Sequence, residues 1–113
     1  MIKIYHNPRC SKSRQGLEIL ENSGKEFEII KYLDTVPNES ELNAVIKLLN
    51  ISTLELVRKN EAVWKDSYKD KTLTDSEIIA AMVAHPKLIE RPIVINCKKA
   101  VIGRPPSAIL KII

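Results

Sequence analysis

The first 31 residues constrain the fold most. Ile2-Lys3-Ile4-Tyr5 is a short apolar strand, and Phe27 to Lys31 is an alternating, isoleucine-rich second strand. Between them, a stretch from Ser11 carries Leu17, Ile19 and Leu20 at helical spacing and closes at Ser23-Gly24, with Gly24 as the predicted C-cap. A strand–helix–strand unit of this length implies a parallel strand pair joined by a right-handed crossover.

The rest of the chain continues the pattern. Asn38 with Glu41 spells a capping box over Leu42, Val45, Ile46 and Leu49. Ser52 with Glu55 repeats that spelling over Leu54, Leu56 and Val57. A polar segment, Arg58 to Lys71, is expected to dock on the core through Val63, Trp64 and Tyr68. Thr74 with Glu77 opens another helix through Ile78, Ile79, Met82 and Val83, ended by His85-Pro86. Ile93-Val94-Ile95 and Ala100-Val101-Ile102 form a hairpin around Cys97-Lys98-Lys99, and Pro105-Pro106-Ser107 starts a last short helix. The order is βαβ, several helices, then ββα. It predicts an α/β, thioredoxin-like fold: a four-stranded mixed sheet with helices on both sides and a helical insertion over about 38–90. At 113 residues the chain fits one domain, 1–113.

Charge and patterning exclude several functions. The net charge is +4, but acidic residues interleave with basic ones and aromatics are only 4%, so a nucleic-acid partner is not expected. No apolar run approaches the roughly 20 residues of a membrane span. The opening "MIKIY" reads as a strand rather than a signal peptide, and a cytoplasmic monomer is expected. The two cysteines, Cys10 and Cys97, are far apart and do not make a disulfide framework.

Cys10 lies in "YHNPRCSKSR", Tyr5 to Arg14, between the first strand and the first helix. Free N–H groups at a helix N-terminus carry about half a positive charge, and this field favours a thiolate. Arg9, Lys12 and Arg14 add positive potential, as would His6 if protonated. Burial as a small apolar residue fits these polar neighbours poorly. A zinc site needs about four suitably spaced ligands, which two lone cysteines and two lone histidines do not provide. Ser13 stands where a CxxC pair would place its second cysteine, so any redox cycle needs an external thiol or a long-range approach by Cys97. The helix N-terminus is also an anion site. Together these features suggest a sulfur attacking a tetrahedral oxyanion.

"YHNPRCSKSR", "RKN", "HPKLIERPIV" and "IGRPP", in that order, resemble the glutaredoxin-linked arsenate reductase family, ArsC, over nearly the whole chain. The resemblance implies that Cys10 is the nucleophile that forms a thiol-bound arsenate. It implies glutathione as co-substrate and glutaredoxin as partner, with no bound cofactor and no metal. It assigns oxyanion binding to Arg58, Arg91 and Arg104, and assigns His6 to keeping the cysteine ionised. Guanidinium groups suit that task, because they stay charged and grip oxyanions through paired N–H bonds. In thioredoxin-like folds a cis proline lies beside the active cysteine, so a cis Arg91–Pro92 bond is expected to set Arg91 against Cys10. Lys59 reads as a surface cation, His85 as a helix terminator and Cys97 as incidental. Arg58 also reads as a cation at a helix end, complementing the dipole.

Two rivals share the fold. A general thiol oxidoreductase of the family would act on glutathione mixed disulfides and tolerate loss of Arg58 or Arg104. Spx-type regulators bind RNA polymerase, usually carry CxxC in this loop and lack the full arginine set. Ser13, Arg58 and Arg104 point away from them.

Overall fold

Strand β1 (Ile2–Tyr5) lies inside a four-stranded sheet with β2 (Phe27–Ile30), β3 (Ile93–Asn96) and β4 (Lys99–Ile102), in the order β2-β1-β3-β4. The computed structural model describes residues 1–113, which divide into two units: Met1–Thr35 with Arg91–Ile113, and Val36–Glu90.

The first unit holds the sheet. β1 pairs in parallel with β2 (Phe27–Ile30) across α1 (Ser11–Asn22). It pairs antiparallel with β3 (Ile93–Asn96), which forms a hairpin with β4 (Lys99–Ile102). Ile4 faces Val94 across β1 and β3, and Val94 faces Val101 across the hairpin. Residues directly opposite share a face of the sheet. Ile2, Ile4 and Val94 therefore meet Leu20 of α1 and Ile109 of the final 3-10 helix (Pro106–Lys111) in one core cluster. Each such aliphatic side chain, fully buried, contributes about 1.5–3 kcal/mol.

Two close approaches fix how α1 sits over this core. A Cβ on Gly16 would lie 2.9 Å from Pro92 Cγ, and one on Gly103 would lie 2.8 Å from the same atom. The buried Pro92 ring thus sits where only glycine leaves room, and Gly103 N–H donates to Pro92 O at 2.8 Å. Arg91–Pro92 is cis, as the resemblance to thioredoxin-like folds implies, and so is Arg104–Pro105, which nothing in the sequence singles out.

Some local readings shift. The C-cap of α1 is Ser23, whose N–H reaches Ile19 O and Leu20 O; Gly24 follows at φ +74°, taking the left-handed step. The hairpin turn is Cys97-Lys98, because Lys99 pairs with Asn96, and Cys97 takes φ +57°.

The second unit contains α2 (Glu39–Leu49), α3 (Ala62–Ser67) and α4 (Asp75–Ala84), with 3-10 turns at Thr53–Leu56 and Pro86–Leu88. Asn38–Glu41 and Thr74–Glu77 are complete capping boxes. α2 packs on α4, burying Leu42, Val45 and Ile46 on one side and Ile78, Ile79 and Met82 on the other. Ser52 and Glu55 do not cap a helix as their spelling predicted. Ser52 Oγ donates to Glu55 Oε1 instead, and only a 3-10 turn forms before Val57 bridges Ile89. Arg58 consequently follows an extended residue, not a helix end, and has no helix dipole to complement. α3 forms within the segment that the sequence shows only as polar. Its one buried residue is Trp64, which stacks on Tyr68 with ring centroids 5.5 Å apart.

Candidate active site

The loop from β1 to α1 is held by its own polar groups. His6 N–H extends the sheet to Ile30 O at 2.9 Å. Asn7 Oδ1 accepts from Arg9 N–H at 3.0 Å, and Asn7 O accepts from Cys10 N–H at 3.0 Å. Arg14, one turn into the helix, donates Nη1–H back to Pro8 O at 3.0 Å. Ser13 is the centre of this network. Fully buried, its Oγ accepts from Asn7 N–H at 2.9 Å and lies 2.6 Å from His6 Nδ1.

His6 is buried beside Ser13. Burial lowers its pKa below the ordinary 6.5, and the Lys31 ammonium and Arg14 push the same way, against the Ser13 bond and Glu21. The imidazole is therefore neutral near pH 7, and its Nδ1 shares a hydrogen bond with the Ser13 hydroxyl. The positive charge that a protonated His6 would bring to the loop is absent there, because solvation of the ring has been lost.

Cys10 occupies the N-cap of α1 with extended backbone (φ −98°, ψ 125°), and its side chain makes no capping bond. The first turn of α1 carries no acidic residue. First-turn N–H groups have no partner within a helix and project along its axis toward the N-terminus. The half-buried sulfur thus sits at the positive end of α1. Arg104 Nη2 lies 3.7 Å from Cys10 Sγ, and Arg104 Nε donates to Arg91 O at 2.8 Å. The main chain at the cis Arg91–Pro92 bond thereby holds a guanidinium against the sulfur.

The structure brings together Cys10, His6, Arg104 and the Arg91 main chain. Arg91 itself is half-buried. Arg58 belongs to the second unit, where its N–H donates to Leu88 O at 2.7 Å, Nη1 donates to Glu61 Oε1 at 2.9 Å, and Nε lies 3.6 Å from Glu90 Oε1. Sequence reasoning missed Ser13 and Arg14 as loop anchors. The signal was present: Asn-Pro starts a turn, and a hydroxyl three residues past the N-cap faces back over it. No three His, Cys, Asp or Glu side chains cluster anywhere in the chain, and no helix is long and apolar enough to cross a membrane.

A single cysteine at the N-cap of the first helix, on a mixed sheet of order 2-1-3-4 with a cis proline before β3, defines a thioredoxin-like protein built around one thiol. The ArsC family pattern matches residues 5–112, and the chain belongs to the ArsC family. The Escherichia coli (strain K12) protein YfgD, described only as uncharacterised, is 46% identical over 99% of this chain and 96% of its own length. An arsenate reductase of Neisseria meningitidis (serogroup A) is 42% identical over 92% of this chain and 91% of its own. The structure of an arsenate reductase from Vibrio cholerae superposes with a TM-score of 0.95 at 44% identity, covering 99% of this chain and 97% of the other.

Proposed function

We propose that this protein is an arsenate reductase that draws its electrons from glutathione and glutaredoxin. Cys10 Sγ attacks the arsenic of a bound arsenate, one oxygen leaves as water, and a thiol-bound arsenate remains. Glutathione attacks that adduct, glutaredoxin takes up the glutathione, and arsenite is released. Over the cycle, arsenate and two thiols give arsenite, one disulfide and one water. Arsenic gains the two electrons that the two sulfurs lose.

The observation that carries this reading is the pairing of Cys10 Sγ with Arg104 Nη2 at 3.7 Å, at the N-terminus of α1, in a chain of the ArsC family. Arg104 neutralises the oxyanion as the sulfur approaches, and the first-turn N–H groups complete the anion site. His6 acts in this reading as a positioning residue, ordering the loop through Ser13. Arg91 and Arg58 are further oxyanion ligands. Arg58 enters this reading through the family resemblance alone.

The test is NADPH oxidation coupled through glutathione reductase, with arsenate, glutathione and glutaredoxin present. Wild type turns over and Cys10→Ser does not. Arg104→Ala loses about 10²–10³ in kcat/KM, the scale for removing one preorganised donor. No arsenate-dependent turnover by the wild type, with glutathione mixed disulfides reduced instead, would replace this reading with a general thiol oxidoreductase.

A further inference from the structure

The second unit contains a cavity of about 590 Å³ that the proposed reaction does not use. Its floor is apolar: Leu54, Trp64, Leu73 and Ile78. Its rim is cationic, formed by Lys59, Lys65, Lys69 and Lys71, and no acidic residue lines it. The volume falls within the roughly 300–1,000 Å³ of small-molecule sites. All four lysines are exposed, and none of them takes part in an ion pair. Their charges are therefore not neutralised within the fold.

The floor is also held in place. Trp64 is buried and stacked on Tyr68, which in turn packs edge-on against His85 at 6.2 Å. Trp64 O accepts from both Tyr68 N–H and Lys69 N–H at 2.9 Å, which sets the turn that carries Lys69 beside the ring. A fixed aromatic wall with unpaired cations above it is complementary to one kind of ligand. A purely apolar molecule would leave the rim unused, and a simple inorganic anion would leave the floor unused.

We propose that this cavity binds an amphipathic anion, a small molecule with a flat apolar body and an acidic group. The body lies against Trp64, and the acidic group meets the lysine rim. Lysine stems extend the apolar surface while their ammonium groups remain at the mouth. Single-sign charge over a low-dielectric wall raises the local concentration of such anions.

Trp64 is the only tryptophan in the chain, so its emission reports on this cavity directly. The full-length protein is titrated with 8-anilinonaphthalene-1-sulfonate, with its uncharged counterpart N-phenyl-1-naphthylamine, and with inorganic phosphate alone. The sulfonate is expected to quench Trp64 saturably and to bind less tightly as salt rises. Lys65→Gln/Lys69→Gln should weaken it about fivefold, the scale of two exposed charge pairs. Lys59→Gln/Lys71→Gln is the second variant should the first melt early. Absence of saturable quenching overturns the proposal. So does equal binding of the uncharged counterpart with no effect of either lysine pair, which would leave only an apolar surface. Phosphate binding as tightly as the sulfonate overturns it as well, because the aromatic wall would then contribute nothing.

Discussion

The loop at Cys10 and the segment at Arg58 are both rich in charge, yet they use it in opposite ways. In the loop, cations and hydroxyls are turned onto the main chain. Arg14 holds Pro8 O, Ser13 holds Asn7 N–H, and Arg104 is braced on Arg91 O so that Nη2 reaches the sulfur. Around Arg58 the charge is neutralised by side chains, Glu61 and Glu90. The hub of the loop, Ser13, is short and fully buried, whereas the carboxylate pairs around Arg58 are long-armed and half-exposed. The loop should therefore be stiff and costly to disturb, and the Arg58 cluster tolerant of change.

The sharpest way to break that contrast is Ser13→Ala. It leaves buried His6 Nδ1 and Asn7 N–H without their partner, at a cost of about 1–3 kcal/mol for each orphaned group. Urea unfolding should register that loss, and kcat should fall with it because the loop positions Cys10. Next comes Gly103→Ala, whose Cβ would meet Pro92 Cγ at 2.8 Å; overpacking of this kind costs about 1–3 kcal/mol. Its melting temperature should drop even though the residue touches no substrate.

A smaller effect follows from His6. Its folded pKa lies below the unfolded value of 6.5, so below that pH the unfolded chain binds more protons than the native one. Stability should hold above about pH 6.5 and fall as the pH is lowered from there toward the folded pKa. In His6→Asn, unfolding midpoints measured across this window should show a flatter dependence. The smallest effect belongs to the other region. Glu61→Gln removes a half-exposed ion pair and should cost about 0.2–1 kcal/mol, within reach of a careful denaturant titration.

The same contrast explains what was legible in the sequence. Asn38 with Glu41 and Thr74 with Glu77 were read correctly because a capping box is closed by residues three apart. The strand pairing was legible because short apolar runs are bounded by turn signals, and because the strand–helix–strand order makes β1 and β2 parallel while a tight turn makes β3 and β4 antiparallel. Ser52 with Glu55 carries the same local spelling and failed, because the bridge from Val57 to Ile89, thirty-two positions apart in the numbering, ends the turn early. Cys10 was recognisable from its place between strand and helix. The bond from Arg104 to Arg91 O joins positions thirteen apart, each preceding a cis proline, and no pattern in the sequence encodes it.

The central claim is that Cys10 Sγ and Arg104 form one oxyanion site. Alkylation of Cys10 by iodoacetamide, with and without arsenate, tests it most directly. A Cys97→Gly background removes the other thiol and suits the left-handed backbone there. Arsenate should slow labelling of Cys10, and Arg104→Ala should abolish that protection. Labelling at the same rate with and without arsenate, or protection that survives Arg104→Ala, would contradict the account.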